Sequence, residues 1–335
     1  MNETEVIKAT SEMNQLLRAA GSLDADVALP AGKQLAKALE MPLRQGLMNG
    51  DILGDIFETT DIETSSSAEY PLDLLAPGTE KEHFAYVIPN QGRIPQRHVE
   101  GDYVMVPTYR VGNSIDWLLK YSEDARWDIV SRALEVMEAG FVKKNNDDGV
   151  HVLLNAGVDR NIVVFDSDAS PGQFTKRLVS LMKVIMRRNG GGNSTSLNRS
   201  RLTDIYLSPE GVEDMRNWGI DQIDEITRRE IFLGDDDVIN RVFGVNIHAW
   251  DELGEGQEYQ NYFTSDLAGT LGSGDLELVV GLDLSRRRGL VNPVKKRVEI
   301  FQDQYLHREQ RQGYYGWGEW GWGSLDARQI IIGSY

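Results

Sequence analysis

Apolar residues recur at three- and four-residue steps between residues 122 and 144, where Trp127, Val130, Leu134, Met137 and Phe141 share one helical face. Ser122 reads as the N-cap, Glu123 and Asp124 load the first turn, and Lys143 and Lys144 load the last. "NNDDG" (145–149) reads as the stop. About two dozen residues at ~1.5 Å each make a rod of about 35 Å, a structural spine. Weaker stripes predict a helix over Glu5–Ala20 and another over Lys33–Met48, which Pro42 should kink or end. "SPGQFTKRLVSLMKVIMRR" reads as a helix with Ser170 as N-cap and Pro171 in first position, stopped by "NGGGNSTS". "SPEGVEDMRNW" repeats that start at Ser208–Pro209.

Elsewhere the pattern is that of strands. "HVLLNAG" and "NIVVF" are short apolar runs, and "TDIYLS", "VFGVNIHAW" and "LELVVGLDL" read as strands. Residues 81–112 read as two extended runs around a turn at Asn90–Arg93, with Pro89 and Pro95 suited to edges. Such a hairpin is marginal alone, and with Phe84, Tyr86, Val87, Ile88, Val104 and Val106 it needs a partner surface. Residues 1–67 carry apolar spots without a core, so they must wrap their own body or lie on a neighbour. From Lys295 a long β excursion runs to a closing strand at "QIII".

The 335 residues, 41% hydrophobic and 26% charged, suffice for one large or two modest cores. The absence of cysteine excludes disulfides, thiolate catalysis and cysteine-ligated metals, and fits a reducing compartment. "MNETEVIKAT" lacks the basic and apolar regions of a signal peptide, and stretches such as "LVSLMKVIM" are too short and charged to span a bilayer. The expectation is a soluble intracellular product with no membrane contact. A net charge of −17 argues against a chain that condenses nucleic acid through a basic arm. Arg286, Arg287, Arg288, Lys295, Lys296 and Arg297 form a local exception, either a solvated hairpin or an anion or inter-subunit contact.

"VVFDSDAS" (163–170) resembles motif I of haloacid-dehalogenase-like phosphatases, with Asp166 as nucleophile, Asp168 beside it and magnesium between them. "GDDD" (234–237) could stand as the later acidic motif. Against this, half the chain precedes the motif, and no succession of strand-and-helix crossovers joins the two. The plainer reading is a strand-to-helix turn with a capping serine. The segment also fails as a calcium loop, because Pro171 and Arg177 stand where glycine and glutamate belong. "GGGNST" lacks the Gly-Lys-Ser/Thr of a phosphate loop. Five scattered histidines (83, 98, 151, 248, 307) offer no zinc spacing, so no metal and no cofactor is expected.

"GWGEWGWG" places Trp320 and Trp322 on one face of a strand and Trp317 with Glu319 on the other. A sugar platform would want more polar partners, and a membrane belt would want basic neighbours. The tryptophans therefore pack inside the subunit or against a neighbour, core packing being the commoner fate.

The order of parts resembles the major capsid proteins of tailed bacteriophages, a fold shared with encapsulins. The resemblance runs from about Asn49 to Tyr335 and is carried by "NSIDWLLKYSEDARWDIV", "TDIYLSPEGVEDMRNW", "INRVFGVNIHAW" and "SLDARQIIIG" in that order. It implies an α+β tailed-phage capsid fold with an N-arm (1–67), an extended β-hairpin loop (68–112), a peripheral domain with the spine helix (113–149 and 291–322) and an axial domain (150–290 and 323–335). It implies a non-enzymatic shell protein of the virion. Copies would associate as hexamers and pentamers, assembled in the host bacterial cytoplasm around double-stranded DNA bound without sequence specificity. Partners would be a separate scaffolding protein and a portal, with or without a decoration protein. The expected inter-subunit contacts are Phe84, Tyr86, Ile88, Arg93, Ile94, Arg97, Trp317, Trp320 and Trp322. The loop tip "NQGRIPQ" offers Arg93 and no lysine, so the shell should be held without covalent cross-links. An encapsulin-type cellular compartment is the alternative of the same fold, and the magnesium-dependent phosphohydrolase the alternative of another class.

Overall fold

The structure, a computed structural model, describes residues 11–49, 52–71, 103–189, 200–218, 241–267, 269, 271, 277–285 and 289–335. The chain divides into two compact units. The first comprises Met1–Ala68, Val106–Gly149 and Asn292–Trp322; the second comprises Glu69–Met105, Val150–Val291 and Gly323–Tyr335.

In the first unit, helices α1 (Ser11–Ala20) and α2 (Ala25–Asn49) pack together and bury Leu17, Ala20, Ala28, Leu35, Leu39 and Leu43. Helix α2 runs through both Pro30 and Pro42, so Pro42 does not end it. An interior proline costs about 3 kcal/mol locally. The continuous buried stripe on either side of Pro42 outweighs that cost, because tertiary packing dominates helix stability. The N-terminal segment thus joins the core of its own unit, with Leu53, Ile56 and Phe57 fully buried beyond the helix.

The sheet of this unit has the order β1 (Glu58–Asp61), β10 (Leu290–Asp303), β11 (Arg311–Trp320), β4 (Tyr109–Leu118). Strands β10 and β11 pair antiparallel with bulges near Lys296, and β12 (Gly323–Ser324) pairs antiparallel with the start of β10, Leu290 and Val291. Strands β11 and β4 pair antiparallel without interruption, from Arg311 opposite Leu118 to Trp320 opposite Tyr109. Period two holds on β11 except at the buried Gly313: Gln312, Tyr314, Gly316, Gly318 and Trp320 are buried, while Arg311 and Tyr315 are exposed.

The spine helix begins later and ends later than its polar flanks suggest. A short helix α3 (Leu119–Glu123) comes first, and Ala125 adopts φ 52° before α4 (Trp127–Asp159) starts. Ser122 is no cap for α4, because its Oγ is fully buried and accepts from Trp117 Nε1 at 2.7 Å. At the other end "NNDDG" does not stop the helix, and "HVLLNAG" continues it. Asp148 pairs with Lys144 at 2.7 Å and accepts from the Tyr109 hydroxyl at 2.7 Å. Gly149 serves as a point of close approach: a Cβ there would lie 2.2 Å from Leu53 and 3.2 Å from the Trp322 ring.

The second unit is built on a six-stranded sheet: β5 (Val163–Phe165), β13 (Ile330–Ser334), β9 (Leu278–Leu282), β6 (Asp204–Leu207), β8 (Val245–Ala249) and β7 (Arg241–Val242). Strands β6, β9 and β13 are buried along their whole length, which is why they read as unbroken apolar runs. Helix α5 (Lys176–Asn189) brings Leu178, Met182 and Met186 to this core. Helix α6 (Pro209–Arg216) starts at Ser208 as predicted, with Ser208 Oγ accepting from Gly211 N. Helix α5 does not start at Ser170. There Gln173 N bonds Ser170 O around Pro171 and Gly172 (φ 75°), a turn in which only glycine is comfortable. The cap is Thr175, whose Oγ1 accepts from Leu178 N at 3.2 Å. A short β2–β3 pair (Glu69–Pro71 with Tyr103–Met105) completes this unit.

Candidate assembly surfaces

The three tryptophans divide as the alternation predicts. Trp320 lies on the covered face of the first unit's sheet and is 6% exposed. Trp322, equally buried, follows the strand and meets Phe57 edge-on at 4.8 Å. Both are therefore core residues of the subunit. Trp317 is half-buried on the open face, where it stacks with Phe301, which in turn stacks with Tyr315 at 5.5 Å. Lys296 Nζ sits 3.9 Å and the Arg110 guanidinium 5.2 Å from the Trp317 ring centroid, two cation–π contacts to one ring.

Charge on this open face is paired. Arg110 bonds Glu319 at 3.2 Å, Lys296 bonds Glu299 at 2.7 Å, and Arg311 bonds Asp116 at 3.1 Å. Hydrogen bonding from Arg110, aided by Thr108 and the charge of Lys295, holds the Glu319 carboxyl below the usual range. Of the basic run, Lys295 faces Glu319 and Arg297 reaches Asp61, so these cations serve the sheet itself. Arg286, Arg287 and Arg288 lie outside the described residues. So do Phe84, Tyr86, Ile88, Arg93, Ile94 and Arg97.

The Asp166–Ser170 segment is a strand-to-helix turn at the edge of the second unit's sheet. Asp166 accepts from Thr175 Oγ1 at 2.8 Å and from the Asp168 amide at 3.2 Å, and Arg177 pairs with both carboxylates. A carboxylate held in this way is a turn-former rather than an exposed nucleophile. The "GDDD" run lies outside the described residues. Among the described residues no cluster of acidic and histidine side chains could hold a metal ion, and no helix is long and apolar enough to cross a membrane.

Two polar clusters in the second unit had no sequence signal, because their members are far apart in the chain. Ser208 and Tyr335 each donate a hydroxyl to Glu277 Oε2, at 2.6 and 2.7 Å, and their two hydroxyl oxygens lie 2.6 Å apart. Asp204 accepts from Asn246 at 2.9 Å and faces His248 Nε2 at 3.1 Å. Burial would raise the Asp204 carboxyl, but hydrogen bonds from His248, Thr203 and Asn246 outweigh it and hold it low.

No family model and no curated protein sequence matches this chain. Solved structures do. The head structure of Helicobacter pylori bacteriophage KHP40 superposes with a TM-score of 0.56 at 8% identity, over 85% of this chain and 90% of that chain. The cyanophage Pam1 capsid gives 0.54 at 12% identity, over 84% and 88%. The capsid of Myoviridae phage XM1 gives 0.53 at 12%, over 84% and 90%. The chain has the tailed-phage major capsid fold.

Proposed function

We propose that this chain is a major capsid protein whose copies close into an icosahedral phage head around double-stranded DNA. The observation that carries this is the match to phage head and capsid subunits over more than four-fifths of the chain and about nine-tenths of theirs. The acidic balance supports it, since a wall of subunits that each carry a net charge of −17 repels packaged DNA where a basic one would hold it. The geometry supports a structural rather than a catalytic role, the Asp166 carboxylate being engaged in its turn.

On this reading residues 1–67 are the N-arm and 68–112 the extended loop. Residues 113–149 and 291–322 form the peripheral domain, and 150–290 with 323–335 the axial domain. Phe84, Tyr86, Ile88, Arg93, Ile94, Arg97 and Trp317 are its inter-subunit contacts, while Trp320 and Trp322 hold the subunit together. The protein is a virion component assembled in the bacterial cytoplasm, with a separate scaffolding protein, a portal and room for a decoration protein.

Negative-stain microscopy with sedimentation velocity tests the reading. Uniform icosahedral particles, or hexamers and pentamers that convert to them, are expected. A chain that stays monomeric with its partner genes supplied refutes it. Boiled particles should give a single monomer band on a denaturing gel, because no lysine lies at the loop tip.

A further inference from the structure

Strand β4 occupies one edge of the first unit's sheet, and among the described residues no strand pairs with its outer side. The direction of its free groups follows from the ladder. Leu119 N bonds Gln310 O, so the odd-numbered residues of β4 face β11 and the even-numbered ones point their N–H and C=O groups outward. Ser114 agrees, since its N–H bonds the Asn113 side chain at 2.9 Å instead of β11. Natural sheets protect such an edge with charged side chains, above all lysine, or with proline, a bulge or a very short strand; the two charges of β4, Arg110 and Asp116, are of opposite sign. "YRVGNSIDWL" has no proline and no lysine, and it runs ten residues in unbroken register. Arg110, Gly112, Ser114, Asp116 and Leu118 are all exposed.

These residues are complementary to themselves when reversed. If two β4 strands run antiparallel about Asn113, Arg110 falls opposite Asp116 and Gly112 opposite Ser114. All four are outward-facing, as a hydrogen-bonded register requires. Slipping the strands by two residues in either direction breaks the Arg–Asp match. We propose that β4 is a self-association edge: it pairs antiparallel with β4 of a second copy across a two-fold axis at Asn113, joining two sheets into one. Such an isologous contact forms roughly eight backbone hydrogen bonds. It also extends the existing charge pairs into an alternating row on each side. Arg311 holds Asp116, Asp116 meets Arg110 of the partner subunit, and that arginine holds its own Glu319 as Arg110 does in this chain. On the face that carries Arg110 and Asp116, Gly112 has no side chain and Ser114 a small one, which leaves that side of the axis uncrowded. The cost is that Ser114 N–H must leave Asn113 for the new strand. The identity of the second copy as a shell neighbour rests on the capsid reading; the pairing itself does not.

The chain has no cysteine, so engineered thiols report the register cleanly. A Cβ at Gly112 would lie 3.3 Å from the Gly316 carbonyl, a tight contact that needs a shift of a few tenths of an ångström, so the folded state of Gly112→Cys is checked by circular dichroism first. Full-length Gly112→Cys and Ser114→Cys chains are mixed, oxidised at high concentration and run on a non-reducing gel. The mixture should give cross-linked dimer well above either variant alone. Equal or stronger cross-linking of one variant with itself means another register and overturns the proposal. No cross-link, whether the copies associate or stay monomeric, overturns it as well. In a second test, Arg110→Glu and Asp116→Arg should each weaken association about tenfold through like-charge pairs, and the double variant should restore it. Failure of the double variant to restore association, with the folded subunit confirmed by circular dichroism, refutes the pairing. Shells seen by microscopy without the 112–114 cross-link would remove this edge and leave the capsid reading standing. Cross-linked dimers that never close into shells would do the reverse.

Discussion

Removing one oxygen atom tests the packing logic of the second unit. Tyr335 OH lies 2.7 Å from Glu277 Oε2 and 2.6 Å from Ser208 Oγ, and Ser208 Oγ lies 2.6 Å from the same carboxylate oxygen. Ser208 also caps α6, so the cluster ties β13, the α6 start and the residue before β9 at one point. Tyr335→Phe keeps the ring against Phe174 at 5.3 Å and deletes only the hydroxyl. A hydrogen bond to a charged group is worth about 1.5–3 kcal/mol, and Glu277 keeps its bond from Ser208, so we expect a loss of about 2 kcal/mol. At 1.36 kcal/mol per tenfold, that is roughly a 30-fold rise in the opening equilibrium. Native-state hydrogen exchange of the β9 amides, Leu278–Leu282, reads it directly, with the β11 amides of the first unit as the internal control. A change below about threefold in β9 would refute the argument that this hydroxyl stabilises the unit. The same substitution has an alkaline signature. Burial pushes the Tyr335 phenol well above its ordinary value, with the nearby Glu277 charge adding to the rise. A raised phenol contributes stability that is complete below about pH 10 and lost as pH climbs beyond it. Tyr335→Phe should therefore be less sensitive to alkali than the parent, though less stable at neutrality.

Thr175→Ala should cost about 1 kcal/mol of second-unit stability while Ser170→Ala is nearly neutral, measured by urea unfolding, because Thr175 and not Ser170 caps α5. Trp320→Ala should cost about 3–5 kcal/mol as a buried large-to-small change, and Trp317→Ala far less in the isolated subunit, both by thermal melts. Asp204 is held low, so its contribution is present above about pH 4 and lost as pH falls through the native value. Asp204→Asn should flatten that acid limb in a pH series of denaturation midpoints.

Where local pattern decides structure, the sequence was readable. The Ser-Pro start at Ser208, the alternation that separates Trp317 from Trp320 and the apolar runs of β9 and β13 all reappear in place. It misled where distant residues overrule local signals. "NNDDG" looks like a stop, but Leu53 and Trp322 pack on Gly149, and Lys144 and Tyr109 satisfy Asp148. Pro42 looks like a break, but leucines on both sides of it are already committed to one core. Ser170 fails because glycine after Pro171 turns the chain before a helix can begin. The β4 edge was invisible for a related reason: strand order depends on pairings between segments far apart, which periodicity does not encode.

That separation also has a cost in time. Strand β4 can gain its β11 neighbour only after the intervening chain, roughly 200 residues, has left the ribosome, about 10–40 s at 5–20 residues per second. During that interval both sides of a ten-residue strand are open, and its two charges, Arg110 and Asp116, match rather than repel when a second copy lies antiparallel. The hazard of premature sheet formation therefore peaks during synthesis, on crowded polysomes where neighbouring nascent chains expose the same self-matching strand. Slowing translation beyond Leu118 should lower soluble yield, while chaperone supply should raise it.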